Sequence, residues 1–293
     1  MLSFLFEQYG YYPNLIDDMF VIDGWEFRIV EVGCDEGFLK SLEEYINIIR
    51  KEFNGMGVYI LKNRCNKKIS YYDNKKYVLM SSYKSSVIVS DLNKMHLLFN
   101  DKYKKVDLKE LLSLWQSRME KSETEGVSSL RIDGMYYSSN LEVSMFALGL
   151  CQNAIQYLSE LIDDYGSLVG DVTVTHRRLK NLNSFDFFDP FNFIIDHPIR
   201  DYVELYKNNA VEFLDLVSIL EFYRMDTKIA TLFMARLMYP SEILDALEEN
   251  VDKKDKSFKI NYSIEKEVLK IKKAYLYFKK KYNIRPIYWL ELN

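Results

Sequence analysis

Two stretches of sequence decide the fold: Val172-Thr-Val-Thr-His-Arg-Arg-Leu-Lys-Asn-Leu-Asn183 and Phe191-Asn-Phe-Ile-Ile-Asp196. In the first stretch, a run rich in β-branched residues leads into a polar loop. In the second, an apolar run ends in an aspartate. Both runs have the length and composition of short strands. We therefore predict two strands whose ends present polar side chains, which makes this region the candidate functional site.

The order of these polar residues resembles the phosphoryl-transfer loop of kinases and antibiotic phosphotransferases. That loop reads H-x-D-x-x-x-x-N and is followed by a strand that ends in a metal-binding Asp. His176 matches the His, Asn183 lies seven residues later at the Asn position, and Asp196 ends the next apolar run. The resemblance implies that Asn183 and Asp196 would bind the cofactor, holding Mg²⁺ against the phosphates of ATP.

The position of the catalytic Asp in this motif is occupied by Arg178. A guanidinium cannot accept a proton at neutral pH, so the expected general base is absent. Arg178 could instead bind a phosphate or carboxylate, or it could pair with Asp196 in an inactive site. His176 is equally compatible with a purely structural role, and the motif is therefore degenerate.

The first 82 residues predict a small sheet domain. Asp23-Gly24 lies between two β-prone runs and predicts a hairpin. A helix over 35–53 follows, with one apolar face, and then three more strands. The predicted strands are 18–22, 25–32, 57–61, 68–72 and 76–80, and the apolar face of the helix comprises Phe38, Leu42, Tyr45, Ile46 and Ile49.

The rest of the chain predicts a mostly helical domain. The polar run Ser81-Ser-Tyr-Lys-Ser-Ser86 suggests a hinge, so we place the domains at 1–82 and 83–293. Helix patterns cover 92–99, 107–123, 141–163, 198–207, 210–223, 228–237, 241–249 and 264–281, and 166–195 is predicted to be non-helical. The predicted class is α+β: a protein-kinase-like, two-lobed fold with a small antiparallel-sheet N-lobe and a larger helical C-lobe.

Two further parts of an active kinase are missing from the N-terminal domain. An active kinase uses a strand Lys that grips the phosphates and a helix Glu that pairs with it. Glu43 or Glu44 would be the Glu, but the preceding strand offers only Arg28 as a cation. The turn Asp23-Gly24 is also too short and too poor in glycine to cover a triphosphate.

Several segments resemble the kinase-like spore coat proteins of the YutH and CotS type, within the aminoglycoside phosphotransferase and choline kinase superfamily. These segments are Leu5–Pro13, Gly149–Tyr157 of the form G-L-x-x-N-A-I-Q-Y, Asp196–Glu204 of the form D-H-x-x-R-D-x-x-E, Ala235–Pro240 and Ile287–Leu290. The YutH-type branch also resembles this chain in having H-x-R where active relatives have H-x-D. The resemblance implies a kinase-like fold and no particular reaction.

Two functions follow from this resemblance. The first is a pseudokinase associated with the spore coat that acts as a scaffold or ligand-binding module, with spore coat proteins as partners and a location in the cytoplasm or coat. The alternative is a divergent ATP-dependent phosphotransferase that acts on a small hydroxyl or amine substrate. It would need ATP, Mg²⁺ and another base, for which the candidates are Asp186, Asp189 and Asp201.

Structural interpretations of the same residues remain open. Pro198 suits a first helical position, and Arg200 and Glu204 are spaced as an i,i+4 pair. Asn183 and Asp196 could serve only as turn and capping residues. The aromatic residues of the loop are expected to be core residues rather than a stacking platform; they are Phe187, Phe188, Phe191 and Phe193.

Charge and composition exclude several classes of protein. Residues 251–285 carry 12 Lys and Arg against 4 Asp and Glu, a net charge of +8, so the remainder of this −4 chain carries −12. The basic segment coincides with the last long helix, which could pack on the helical domain or dock on an acidic partner. We expect no nucleic-acid binding, no signal peptide and no transmembrane segment. The three cysteines indicate free thiols rather than disulfides or zinc.

Overall fold

The computed structural model of this chain describes residues 1–15, 18–222 and 225–291, and it divides them into two units. Unit 1 comprises Met1–Asn100 and Thr173–Ile195, and unit 2 comprises Asp101–Val172 and Asp196–Asn293. The predicted lobes, 1–82 and 83–293, follow chain order, whereas unit 1 includes a segment from much later in the chain. The lobe boundary at residue 82 stays a prediction.

The N-terminal sheet of unit 1 has the five antiparallel strands that the sequence predicts. Their order is β1-β2-β5-β3, and β4 pairs with β5 outside this path. Asp23 and Gly24 both have positive φ, as a two-residue hairpin turn requires. The strands are β1 (Met19–Ile22), β2 (Trp25–Glu31), β3 (Val58–Leu61), β4 (Ser70–Tyr72) and β5 (Lys75–Tyr83).

The predicted polar hinge at Ser81–Ser86 is wrong in its first half, because β5 continues to Tyr83. Ser81 and Ser82 are buried, and β5 pairs with β2 on one side and β3 on the other. Pairing on both sides of a central strand overrides the weak strand preference of serine.

The core of unit 1 lies on one face of this sheet. Phe20 and Phe27 face each other across β1 and β2, and their rings stack at 4.7 Å. The helix α1 (Leu2–Tyr9), which the sequence did not predict, buries Phe4 and Leu5 against this cluster. Burial of these large side chains is the main stabilisation of the sheet.

The helix after β2 is α2 (Glu36–Glu52), and the Asp35 carboxylate caps its N-terminus by accepting from the backbone N–H of Phe38. Its buried residues are Leu39, Ile46 and Ile49. The prediction that Phe38 and Tyr45 share the core face is wrong, since they are 51% and 41% exposed. The helix has more apolar residues than one core-facing stripe can hold.

A second, smaller sheet carries the two stretches that opened the sequence analysis. Its strand order is β6-β7-β8, with β6 (Asp101–Asp107), β7 (Leu168–His176) and β8 (Phe193–Asp196). In unit 2, β6 pairs antiparallel with the first half of β7. In unit 1, the backbone N–H of Arg177 donates to the carbonyl of Asn192 at 2.7 Å, next to β8. The very polar β6 was not predicted.

The segment predicted to be non-helical, 166–195, contains a short helix, α6 (Ser184–Phe188). Unit 1 also contains α3 (Val89–Leu98), near its predicted position. The aromatic prediction holds for Phe187 and Phe188, which are fully buried.

Unit 2 is built from helices close to those predicted, except for the short α12 (Tyr288–Glu291), which the sequence did not predict. They are α4 (Leu108–Lys121), α5 (Tyr137–Tyr165), α7 (Ile199–Lys207), α8 (Phe213–Phe222), α9 (Thr227–Met238), α10 (Ser241–Lys253), α11 (Ile264–Tyr282) and α12 (Tyr288–Glu291). The predicted helix end at Tyr223 lies outside the described residues. The apolar stripe predicted for α11 is confirmed at Ile271, Tyr275 and Phe278, which are buried. None of the helices in the described ranges has the length and hydropathy needed to cross a bilayer.

Candidate functional site

Asp196, the predicted metal ligand at the end of β8, is buried at 7% exposure and surrounded by hydrogen-bond donors. The Nη2 of Arg236 donates to both carboxylate oxygens, at 2.7 and 2.8 Å. The Nη1 of Arg200 donates to Oδ2 at 3.0 Å, and the backbone N–H of His197 donates to Oδ1 at 2.7 Å. A carboxylate has about four lone-pair sites. These four hydrogen bonds occupy all of them.

The two guanidiniums also determine the charge state of Asp196. Burial alone would raise the pKa of this carboxyl group, but Arg236 and Arg200 hold it below its usual value. Burial lowers the pKa of Arg236 as well. A guanidinium nevertheless stays protonated at any physiological pH, so the cluster is ionic. We refer to Asp196, Arg200 and Arg236 as the arginine cage.

Arg200, predicted to pair with Glu204, reaches back to Asp196 in an i,i+4 ion pair. Pro198 is the N-cap residue of α7 rather than its first helical residue. Asp201, a candidate base for the alternative function, is completely buried in α7.

His176 ends β7 and is also completely buried. Its Nε2 lies 2.7 Å from the carbonyl oxygen of Phe187. A carbonyl only accepts hydrogen bonds, so Nε2 carries the proton and donates it. The ring lies between Phe187 and Phe193, with centroid distances of 5.5 and 5.4 Å. This environment gives His176 a packing role in unit 1.

Arg178, at the position of the missing base, is fixed through its backbone. Its N–H donates to Oδ1 of Asn192 at 3.0 Å, and its carbonyl accepts from Nδ2 of the same side chain at 2.6 Å. The Nη1 of Arg178 donates to the carbonyl of Arg177 at 2.9 Å. The Asn192 amide thus holds the loop in one conformation, much as a strand partner would.

Asn183, the second predicted metal ligand, caps α6. Its Oδ1 accepts from the backbone N–H of Asp186 at 2.7 Å, as an N-cap residue does. Its Nδ2 donates to Oδ2 of Asp186 at 2.7 Å and also to Oδ1 of Asn181. The side chain of Asn183 is therefore used to stabilise the loop.

The strand cation Arg28 binds the same loop. Its Nη1 contacts Oδ1 of Asp186 at 2.6 Å, its Nε donates to Glu26 at 2.7 Å, and its guanidinium lies 4.1 Å from the centre of the Phe185 ring. Burial would lower the pKa of Arg28, but these carboxylates raise it above its usual value. Glu43, one of the two predicted glutamates, pairs with Lys68 instead.

Asp189, another candidate base, has few partners for its carboxyl group. Its Oδ1 accepts from the backbone N–H of Phe191 at 3.0 Å. The residue as a whole is partly exposed, but protein atoms displace most of the water around the carboxyl group. This desolvation raises the pKa of Asp189 to about 6.

The residues predicted from the motif thus lie in two different units. His176, Arg178 and Asn183 belong to unit 1, and Asp196 belongs to unit 2. Within the described part of the chain, no group of three or more His, Cys, Asp and Glu residues is arranged to hold a metal ion.

Sequence reasoning missed the role of Arg236, although a signal for it exists. Arg236 lies in α9, whose sequence Thr-Lys-Ile-Ala-Thr-Leu-Phe-Met-Ala-Arg-Leu-Met is otherwise largely apolar. An arginine in such a helix is buried only if a carboxylate pairs with it. The sequence shows that a partner is needed but does not say which carboxylate fills that role.

Comparison with known proteins identifies the family. The family model described as "Spore coat putative kinase YutH" matches residues 7–280. The chain belongs to this family. The match includes most of the segments on which the resemblance rested, although Ile287–Leu290 lies beyond its end. No curated protein sequence matches this YutH-family chain.

A solved structure confirms the predicted fold class. An aminoglycoside phosphotransferase from Alicyclobacillus acidocaldarius matches with a TM-score of 0.53 at 8% identity, over 90% of this chain and 91% of that one. The YutH-family chain therefore has an α+β, protein-kinase-like fold of the aminoglycoside phosphotransferase type. The amicoumacin kinase hAmiN, in complex with AMP-PNP, Ca²⁺ and Ami, matches with a TM-score of 0.39 at 12% identity, over 88% of this chain and 82% of that one. This structure is too distant to support an argument.

Proposed function

We propose that this chain is a spore coat-associated pseudokinase, a kinase-like protein that acts as a scaffold or ligand-binding module without transferring a phosphoryl group. The observation that supports this proposal is the arginine cage, in which three protein groups make four hydrogen bonds to the carboxylate of Asp196. A metal-binding Asp needs a free lone pair for the ion, and here each one already accepts a hydrogen bond.

The charges around Asp196 also disfavour metal binding. In a metal-dependent kinase, Mg²⁺ neutralises this carboxylate and the phosphates. Here Arg236, itself 95% buried, supplies the neutralising charge permanently. Binding Mg²⁺ at Asp196 would place a divalent cation beside a buried guanidinium. Separating a buried ion pair costs about 3–5 kcal/mol, so the metal would have to repay that cost before binding.

Three other positions support the proposal. Arg178 stands in place of the base, Arg28 is bound to Asp186 and Glu26, and the amide of Asn183 caps α6. Arg178 and Arg28 replace groups that phosphoryl transfer uses, whereas Asn183 is the residue that the motif expects, with its side chain engaged in capping α6.

A thermal-denaturation titration with ATP, ADP and GTP, each with and without Mg²⁺, tests the proposal. A ligand present at 100 times its dissociation constant stabilises the folded state by about 2.7 kcal/mol. We expect no Mg²⁺-dependent rise in melting temperature at millimolar nucleotide. A metal-dependent rise that Asp196→Asn abolishes would overturn the proposal, because it would show that Asp196 binds metal despite the arginine cage.

One observation favours the alternative, a divergent phosphotransferase. Asp189 has a pKa raised to about 6, and a general base works best when its pKa is near the operating pH. Incubation with Mg²⁺-ATP and aminosugars, choline or homoserine tests it. Product that forms with the unmodified chain but not with Asp189→Asn would establish the alternative, and absence of product from every acceptor would favour the pseudokinase.

Location and partners are part of the proposal. The family description supports association with the spore coat. Synthesis in the cytoplasm and other coat proteins as partners are our proposals. We also propose that α11 binds an acidic partner. Three of its lysines already have acidic partners, Lys270 with Glu267, Lys279 with Glu291 and Lys281 with Glu221. The side chains of Lys266, Lys273 and Lys280 are exposed. If this proposal is right, an acidic coat protein should bind in a salt-sensitive manner, and changing those three lysines to Gln should weaken the binding.

A further inference from the structure

The face of α11 that points away from the core of unit 2 carries a regular row of exposed side chains. Residues spaced by three and four positions lie on one face of a helix. The members of this row, spaced alternately by three and four positions, are Lys266, Leu269, Lys273, Leu276 and Lys280. The buried residues of α11, which include Ile271 and Phe278, lie on the opposite face. We call the exposed row the outer stripe.

Neighbouring helices cover the two flanks of α11 but not the outer stripe. On one flank, the Phe213 ring of α8 packs on Tyr277 at a centroid distance of 5.6 Å, and Glu221 of α8 binds a lysine of α11. On the other flank, Glu291 of α12 binds Lys279. The contacts that fix α11 in unit 2 therefore involve its buried face and its flanks.

The lysines of the outer stripe present their charge to solvent. Within the described part of the chain, the ion pairs of α11 use lysines of the flanks, which are Lys270, Lys279 and Lys281. Lys266 and Lys280 take no part in these pairs. The Nζ of Lys273 lies 5.3 Å from the centre of the Phe213 ring, and a contact with an aromatic ring does not neutralise its charge.

The two leucines of the outer stripe are also exposed, Leu269 at 67% and Leu276 at 53%. They lie seven positions apart, which is about two turns of helix. A row of apolar side chains this narrow is typical of the seam along which one helix packs against another. Burial of both leucines against a partner would remove apolar surface from water, which is favourable.

The same pattern disfavours a membrane and a second copy of this chain as the binding partner. A helix that lies on a membrane has a large apolar face and keeps its lysines on the opposite, polar face. In the outer stripe, lysines alternate with leucines along one line. A second copy would bring its own lysines against these lysines, and like charges repel across an interface.

We propose that the outer stripe binds an acidic amphipathic helix of a partner protein. The partner helix packs alongside α11, with apolar side chains on Leu269 and Leu276 and carboxylates on the three lysines. This inference rests on the proposed function, in which α11 binds an acidic partner, and it adds the secondary structure and the residue spacing of that partner. Charges of this kind select the partner of a packed helix.

A synthetic peptide tests this proposal on the full chain. Over three heptads, the peptide alternates Glu and Leu at spacings of three and four positions, so that it complements the outer stripe. Fluorescence anisotropy measures its affinity, and we expect binding that weakens as the salt concentration rises. A peptide of the same composition in scrambled order has no continuous row of leucines and should bind about tenfold more weakly or worse.

A double variant separates the leucines from the charges. Leu269→Gln combined with Leu276→Gln keeps every lysine, and Gln has nearly the helix propensity of Leu, so the melting temperature should not change. We expect the affinity for the peptide to fall about tenfold, which corresponds to about 1.4 kcal/mol at 25 °C. The matched control is Leu97→Gln in α3, which changes a leucine that is 66% exposed and should leave the affinity unchanged.

The outcomes distinguish this inference from the proposed function. If changing Lys266, Lys273 and Lys280 to Gln weakens binding but the leucine double variant does not, α11 still binds an acidic partner and the helix-packing proposal is wrong. Absence of peptide binding would also overturn it, whereas the nucleotide titration tests the pseudokinase separately. Binding to phosphatidylserine vesicles, or formation of a dimer, that the leucine double variant abolishes would overturn it in favour of a membrane or a second copy.

Discussion

Asp189 lies between β7 and β8, and Asp196 is the last residue of β8, seven positions later. Their environments shift the pKa values of the two carboxyl groups in opposite directions. The carboxyl group of Asp189 is poorly hydrated and accepts one backbone hydrogen bond, and its pKa rises to about 6. Asp196 is more deeply buried, but two guanidiniums and a backbone N–H hold its pKa below the usual value. Burial alone therefore does not decide the charge of a carboxylate; the donors around it do.

Asp196 has a structural role, because its carboxylate is bound by three protein groups. Asp189 keeps a carboxyl group whose pKa lies near neutral pH. Asp196 has no lone pair to offer and is buried among fixed charges. Asp189 can gain or lose a proton near neutral pH. Of the two, Asp189 is therefore the residue that could act as a general base in a reaction.

The largest effect should come from breaking the arginine cage. Arg236→Met removes two of the four hydrogen bonds to Asp196 and leaves a buried carboxylate without its main counter-ion. We expect the free energy of unfolding to fall by about 3–5 kcal/mol, measured by urea denaturation.

A double variant controls for the loss of the arginine itself. Asp196→Leu combined with Arg236→Met replaces the buried pair by apolar side chains and should recover most of the lost stability. If Arg236→Met alone were as stable as the unmodified chain, the arginine cage would not hold Asp196 as described.

A smaller effect, a gain in the free energy of unfolding rather than a loss, is expected when Asp189 is changed to Asn. The folded state holds the proton of Asp189 up to about pH 6, whereas the unfolded chain releases it near pH 4. Between these values the folded state binds more protons, so the contribution of Asp189 to stability falls as the pH rises. The side chain keeps some contact with solvent, so we expect Asp189→Asn to add about 1–2 kcal/mol at pH 7.

Denaturation at pH 4.5 and pH 7 measures this contribution. Asparagine keeps the oxygen that accepts from Phe191 and removes the charge, so the gain should be confined to the higher pH. An equal gain at both values would show that the carboxyl group of Asp189 titrates normally.

The ion pair of Arg28 with Asp186 should contribute less, because both side chains are partly exposed, at 28% and 21%. Arg28→Gln should cost about 1 kcal/mol or less. The loss should shrink further in 1 M salt, which screens partly exposed charges. A salt-independent loss would indicate that packing of the Arg28 stem on Phe185 matters more than its charge.

The smallest effect should come from restoring the motif itself. Arg178→Asp returns a carboxylate to the position of the base but leaves Asp196 saturated by the arginine cage. Calorimetric titration with Mg²⁺-ATP should therefore show little change in affinity. A large gain would mean that Arg178 alone had blocked a preserved nucleotide site.

The sequence predicted the positions of the candidate residues better than their partners. His176 and Asp196 lie at the ends of strands, as their flanking apolar runs indicate, and Asp35 caps a helix. The partner of Asp196 could not be predicted, because Arg236 lies 40 residues further along the chain. Local patterns describe elements, whereas pairing at such distances depends on how the elements pack.

Two errors in the predicted fold have related causes. The strand β6 reads Asp-Lys-Tyr-Lys-Lys-Val-Asp, and this polar run forms a strand by pairing with β7. On α2, Phe38 and Tyr45 have the helical spacing of core residues, but they line a cavity within unit 1. An apolar side chain shows the same sequence pattern whether it faces a core or a cavity, so periodicity cannot distinguish the two.

The discontinuity of unit 1 has a consequence for how the protein is made. Its first part ends at Asn100, and the segment that completes it, Thr173–Ile195, leaves the ribosome only after the intervening residues of unit 2. At ~5–20 residues per second, this delay is on the order of 5–20 s. During that time Arg28 has no Asp186 to bind, and the apolar residues of α2 are exposed to other nascent chains. Translation speed through residues 101–172 therefore sets how long the half-finished unit is vulnerable to aggregation.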